Sequence, residues 1–108
     1  MGKIPKAFQL SETDIKHQIR DYLNAAGAFT FHLLAGMGAY KGAPDRIFVY
    51  KGVVVFLEIK KPSGVQSEHQ KEFERACVQA GGFYVLAKSV DDVVQVVNKI
   101  NRGEIIGV

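Results

Sequence analysis

Cysteine is nearly missing from this chain: Cys77 stands alone among 108 residues. A single thiol excludes an internal disulfide and favours a reducing compartment. Long apolar runs are missing as well. No stretch approaches the ~20 residues of a membrane-spanning helix, and Met1 to Leu10 has lysines but no apolar core of the kind a signal peptide needs. The chain shows neither internal repeats nor low-complexity segments. Charge of one sign is in small excess, +3 at neutral pH. That fits contact with nucleic acid without demanding it, since a dedicated basic domain often carries more. What is present is apolar substance. Hydrophobic residues make up 47 % of the chain, enough for a packed interior and too much for disorder. The length suits a single domain over residues 1–108 with one core, residues 1–10 reading as a loose arm.

The stretch from Gly42 to Lys60 organises the rest. Two β-branched and aromatic runs are joined by Lys51-Gly52, a tight hairpin signal. If Tyr50 faces Val53, the register follows outward: Val49 with Val54, Phe48 with Val55, Ile47 with Phe56, Arg46 with Leu57 and Asp45 with Glu58. Directly opposed residues share a side of the sheet, their Cβ atoms roughly 4.5–5.5 Å apart. Lys60, two residues past Glu58, joins that side, whereas Arg46 points away. The hairpin therefore sets two carboxylates side by side with an ammonium one step further on. Unshielded like charges facing each other destabilise a sheet, so something must offset the cost. A divalent cation such as magnesium or manganese does so, since both favour hard oxygen ligands. The bland alternative is a solvated Asp and Glu on frayed strand ends, with Lys60 neutralising one of them. Both faces of the hairpin are apolar, Ile47, Val49, Val54 and Phe56 on one and Phe48, Tyr50, Val53, Val55 and Leu57 on the other, which predicts cover on both sides.

Around the hairpin the order is α-β-loop-β-β-α-β-α. Ser11 with Asp14 forms a capping box before Ile15, Ile19, Leu23 and Ala26 at helical spacing, and Gly27 closes the helix. Glu12 heads that apolar stripe, where it either meets something polar or simply complements the helix dipole. Phe29 to Leu34 reads as a strand, and its His32 carries no evident role. Ala35 to Ala43 is a glycine-containing loop that reads equally as a site where Lys41 meets a phosphate and as a mobile connection, its spacing matching no phosphate-binding loop. Ser67 with Gln70 caps a helix to about Ala80, with Gln70, Phe73, Cys77 and Ala80 on one stripe. Gln70 is thus a polar head on a buried face, or only the capping partner of Ser67. Cys77, mid-stripe, reads as packing. Phe83 to Ala87 is a strand that should run parallel to the second hairpin strand, since a helix crosses between them. Ser89 with Asp92 opens a last helix with Val93, Val94, Val97 and Ile100 as its face, and Glu104 to Val108 is left unplaced, an edge strand or a docking tail. The whole is α/β: a central mixed sheet with helices on both faces.

The ordered pieces Ser11-Glu12-Thr13-Asp14-Ile15, Gly42-Ala43-Pro44-Asp45, Glu58-Ile59-Lys60-Lys61-Pro62, Ser67 with Gln70, and Ala80-Gly81-Gly82 with Ser89-Val90-Asp91-Asp92 resemble the VRR-NUC family of the PD-(D/E)XK nuclease superfamily. The resemblance spans about residues 11–97 and implies an αβββαβ core. It implies that Asp45 and Glu58 are metal ligands, with the Ile59 backbone carbonyl completing the shell. It implies a catalytic Lys60, with Glu12 and Gln70 as supporting acid and glutamine. The activity it implies is metal-dependent hydrolysis of DNA phosphodiesters with Mg2+, for which Mn2+ would substitute. Lys41, Lys61 and Lys71 are candidates for contact with the DNA backbone. By the same resemblance the expected substrate is branched DNA such as four-way (Holliday) junctions, the expected assembly a homodimer, and the expected setting cytoplasmic, phage or prophage in type. Two rivals stand beside it: a non-catalytic nucleic-acid-binding or assembly subunit keeping the nuclease fold, and a sequence-specific restriction-type nuclease, for which the chain is short and has no evident recognition insertion.

Overall fold

At the hairpin turn, Lys51 and Gly52 both take positive φ, 48° and 81°. That pair of values is what a type I′ turn requires, and its twist matches that of the strands it joins. In this computed structural model, which describes residues 9–34 and 40–107, the turn sets the register expected from sequence. β2 (Arg46–Tyr50) pairs antiparallel with β3 (Val53–Ile59), from Tyr50 opposite Val53 to Arg46 opposite Leu57. β1 (Phe29–His32) adds antiparallel to β2, and β4 (Phe83–Ala87) adds parallel to β3. The sheet order is β1-β2-β3-β4.

Three helices complete the order α1-β1-β2-β3-α2-β4-α3. α1 (Glu12–Ala25) starts in a capping box, with Asp14 N–H donating to Ser11 Oγ and Ser11 N–H donating to Asp14 Oδ2, each at 3.0 Å. α2 (Glu68–Gln79) has the same device in Ser67 and Gln70, and α3 (Val90–Asn101) is capped by Ser89. The valine-rich stretch after Ser89 is therefore helical, the cap outweighing the β preference of its valines.

The core lies on one face of the sheet. Ile15, Ile19 and Leu23 of α1 and Val93, Val97 and Ile100 of α3 pack with Phe48, Val53, Val55, Leu57, Ile59 and Ala87. The opposite face departs from expectation. Among the described helices only α2 packs on it: Phe73 lies near Phe56 and Tyr84, with Tyr40 against its outer edge, and no residue of α2 is fully buried. Strands are spaced about 4.8 Å apart and a helix is ~10 Å wide, so one helix covers about two strands. Beyond α2, apolar side chains of β1 and of β3 beside the turn are exposed, Phe29 by 67 %, Phe31 by 41 % and Val54 by 46 %. The first strand is shorter than the sequence suggests, ending at His32. Residues 104–107 add no strand. The arm over residues 1–8, the loop glycines Gly36 and Gly38, and Val108 lie outside the described residues.

Candidate metal centre

Asp45 stands one residue before β2 and Glu58 one residue before the end of β3. Pro44, fixed in φ and buried, leads the chain into Asp45. Leu33 N–H donates to the Asp45 carbonyl at 2.8 Å, extending the β1–β2 ladder past its last pair and holding the aspartate backbone in line. The two carboxyl groups lie within hydrogen-bonding reach of each other. Asp45 Oδ2 also accepts the Ile59 N–H at 2.7 Å. A residue in an extended strand turns its N–H and C=O to the same side, so the Ile59 carbonyl is turned toward the Asp45 side too.

The two acids sit in unequal surroundings. Glu58 is 1 % exposed, the one buried charged residue among those described. Its Oε2 has no hydrogen-bond partner. Burial, reinforced by the neighbouring Asp45, pushes its carboxyl up to about 9, against which the Lys60 ammonium pulls only in part. Burial would raise Asp45 as well, but the hydrogen bonds from Glu58 and from the Ile59 N–H, with the charge of Lys16, hold it below the ordinary range. The metal-free pair at neutral pH therefore carries one negative charge and one proton. Lys16, whose ammonium lies 3.2 Å from Asp45 Oδ1, offsets part of the cost of the facing carboxylates.

Lys60 follows the strand. Its N–H donates to the Ala87 carbonyl at 2.9 Å, and its ammonium is close enough to favour ionised Glu58. The backbone at Gly64 runs along its aliphatic stem; a Cβ there would come within 3.2 Å of the Lys60 Cβ. Glu12 reaches the pair through Lys16, whose Nζ lies 3.5 Å from Glu12 Oε2 and 3.2 Å from Asp45 Oδ1. Sequence inspection missed Lys16. The signal was its place one helical turn after Glu12, on the same side of α1. Gln70 is not joined to the acids. Its Oε1 accepts the Ser67 N–H at 2.8 Å, which is the capping role. It is tied to the site through its backbone, because Gly42, with φ 79°, lies so close to His69 and Gln70 that a Cβ would strike the His69 carbonyl. Lys41 and Lys61 are exposed, and Lys71 pairs with Glu68 at 3.4 Å on the surface of α2.

Whether this donor set suits a divalent cation turns on Glu58. A buried carboxyl oxygen with no partner is costly unless something comes to it. A cation beside it would also displace the shared proton. Among the described residues no cluster of three or more His, Cys, Asp or Glu side chains converges. A site of two carboxylates and a carbonyl suits magnesium, which keeps several waters and takes further oxygens from a phosphate. It does not suit zinc, which takes nitrogen and sulfur.

A mixed sheet fed by a tight hairpin, with an acid pair and a lysine where β2 begins and β3 ends, defines a nuclease-like α/β fold. Solved structures carry the particular version. One described as a "VRR_NUC domain" superposes with a TM-score of 0.70 at 20 % identity, covering 82 % of this chain and 97 % of that one. A "VRR_NUC domain protein" does so with a TM-score of 0.71 at 23 % identity, covering 87 % and 90 %. At such identities the likeness is one of fold: this chain has the VRR-NUC fold over most of its length. No family model matches the chain, and no curated protein matches it. Among the described residues no helix is long and apolar enough to cross a membrane.

Proposed function

We propose that this protein is a metal-dependent endodeoxyribonuclease of the VRR-NUC kind, acting on branched DNA such as four-way junctions as a homodimer. The observation that carries the reading is Glu58: a buried carboxyl beside Asp45, with one oxygen unpartnered, close enough to Lys60 to feel its charge. Asp45, Glu58 and the Ile59 carbonyl would hold Mg2+ or Mn2+. When bound, such an ion supplies positive charge to the scissile phosphate. Lys60 positions the attacking water or stabilises negative charge growing on the phosphoryl oxygens. The bond from water oxygen to phosphorus forms as the bond to the leaving oxygen breaks. Exposed Lys41 and Lys61 meet neighbouring phosphates, contacts that carry no base code. Two copies related by a twofold axis would double that basic surface and set two sites on two strands. The open apolar half of the sheet, with Phe29, Phe31 and Val54, is the kind of surface a partner covers. The intracellular setting rests on the single cysteine and the phage type on the sequence resemblance.

A non-catalytic subunit keeping the fold is the rival. It would have no use for a buried Glu58, one of whose carboxyl oxygens has no hydrogen-bond partner, beside Asp45 and Lys60, since such burial costs stability. Incubation with four-way-junction, flap and linear DNA, each with Mg2+, Mn2+ or chelator, separates the two. Cleavage that needs the metal and favours the branched substrates is expected. Binding of all three DNAs with no cleavage under any metal would establish the rival.

A further inference from the structure

Each oxygen of Asp45 is already engaged by a group of the protein. Oδ2 accepts the Ile59 backbone N–H at 2.7 Å. Oδ1 takes Lys16 Nζ at 3.2 Å. Lys16 has a second anion beside it, Glu12 Oε2 at 3.5 Å, and its side chain is 38 % exposed, so it is free to swing between the two. Neither Lys16 nor Glu12 serves the core, which α1 enters through Ile15, Ile19 and Leu23. A divalent cation that binds through Asp45 must therefore work against an ammonium already on Oδ1.

We propose that Lys16 is a built-in counter-ion of Asp45, a positioning residue that competes with the divalent cation and is passed to Glu12 when the cation binds. Glu12 then acts through Lys16 and not as a metal ligand. The inference rests on the two-carboxylate metal site proposed above and adds the residues that set its affinity. Two opposite charges at this separation, half in water, are worth little in stability but enough to shift an equilibrium.

The test is Mn2+ titration of the full chain by calorimetry at fixed pH and salt, with melting curves taken with and without Mn2+. Lys16→Met is expected to bind Mn2+ about two- to fivefold tighter, the range that an exposed pair of ~0.4–1 kcal/mol converts to. It should melt below wild type without metal and draw level at saturating Mn2+. Lys16→Arg keeps the charge and should bind as wild type does. Glu12→Gln removes the second partner and should weaken Mn2+ binding by a similar factor. Lys16→Gln repeats the charge removal should the Met variant fail to fold. A merely structural Lys16 would lower the melting temperature equally with and without metal and leave the affinity alone. Unchanged or weaker Mn2+ binding by Lys16→Met, with wild type binding normally, would overturn the inference. Wild type that binds no Mn2+ would instead overturn the metal site and the inference with it.

Discussion

Asp45, Glu58 and Lys60 are placed by a two-residue turn, and their pairing could be read from sequence because the side-chain period of a strand is two. The protonation of that pair could not. It depends on burial, and burial of Glu58 comes from packing that no local pattern encodes. The sign of its consequence is clear. Glu58 has a folded pKa of about 9 against an ordinary 4.5, so the stability it contributes is full below 4.5 and is lost as the pH rises toward 9. Asp45, held low, loses its contribution only as the pH falls below its ordinary 3.8. Metal-free protein should therefore melt progressively lower from about pH 5 to 9, with a slope of up to ~1.4 kcal/mol per pH unit. Glu58→Gln, which copies the protonated acid, should flatten that decline. A wild-type melting temperature that rises over this range would show that Glu58 is not held protonated. For Lys60→Ala, cleavage should drop by at least ~100-fold, the scale of a lost positioned charge, while circular dichroism and DNA binding are kept. Cleavage at the wild-type rate would remove Lys60 from the chemistry.

Elements were readable where they carry their own punctuation. Ser11 with Asp14, Ser67 with Gln70 and Ser89 with Asp92 each mark a helix start that the structure contains. The depth to which α2 is buried was not readable. Phe73 and Cys77 do turn to the sheet, but they border an open apolar cleft of about 370 Å³ and are only half-buried. A stripe gives direction; the depth of burial depends on how much sheet lies beneath it. The connection into Asp45 is held by a close approach that sequence shows only as another glycine. Gly42 combines positive φ with backbone contact to His69 and Gln70. Gly42→Ala should cost on the order of 2 kcal/mol or more, because the added Cβ meets both strain and backbone, and should weaken metal binding by displacing Asp45. Urea unfolding checks the first effect and Mn2+ titration the second. Wild-type stability would mean that the loop does not rest on α2.

Among the described residues, one sheet face is covered and the other is half-open. Composition predicted enough apolar material for a core but not that three helices would be shared two and one between the faces. The uncovered residues on β1 and on β3 beside the turn are what a monomer would hide and a dimer can use. Light scattering at working concentration should give a particle of twice 11.9 kDa, and a single-chain mass would remove the dimer from the account.

The proposed chemistry depends on Asp45 and Glu58 taking up one divalent ion in exchange for a proton. Calorimetric Mg2+ or Mn2+ titration at pH 8, repeated in buffers of different ionisation enthalpy, measures ion and proton together. The predicted result is roughly one ion bound per chain with release of up to about one proton, both lost in Glu58→Gln. Binding that releases no proton and survives Glu58→Gln would contradict it.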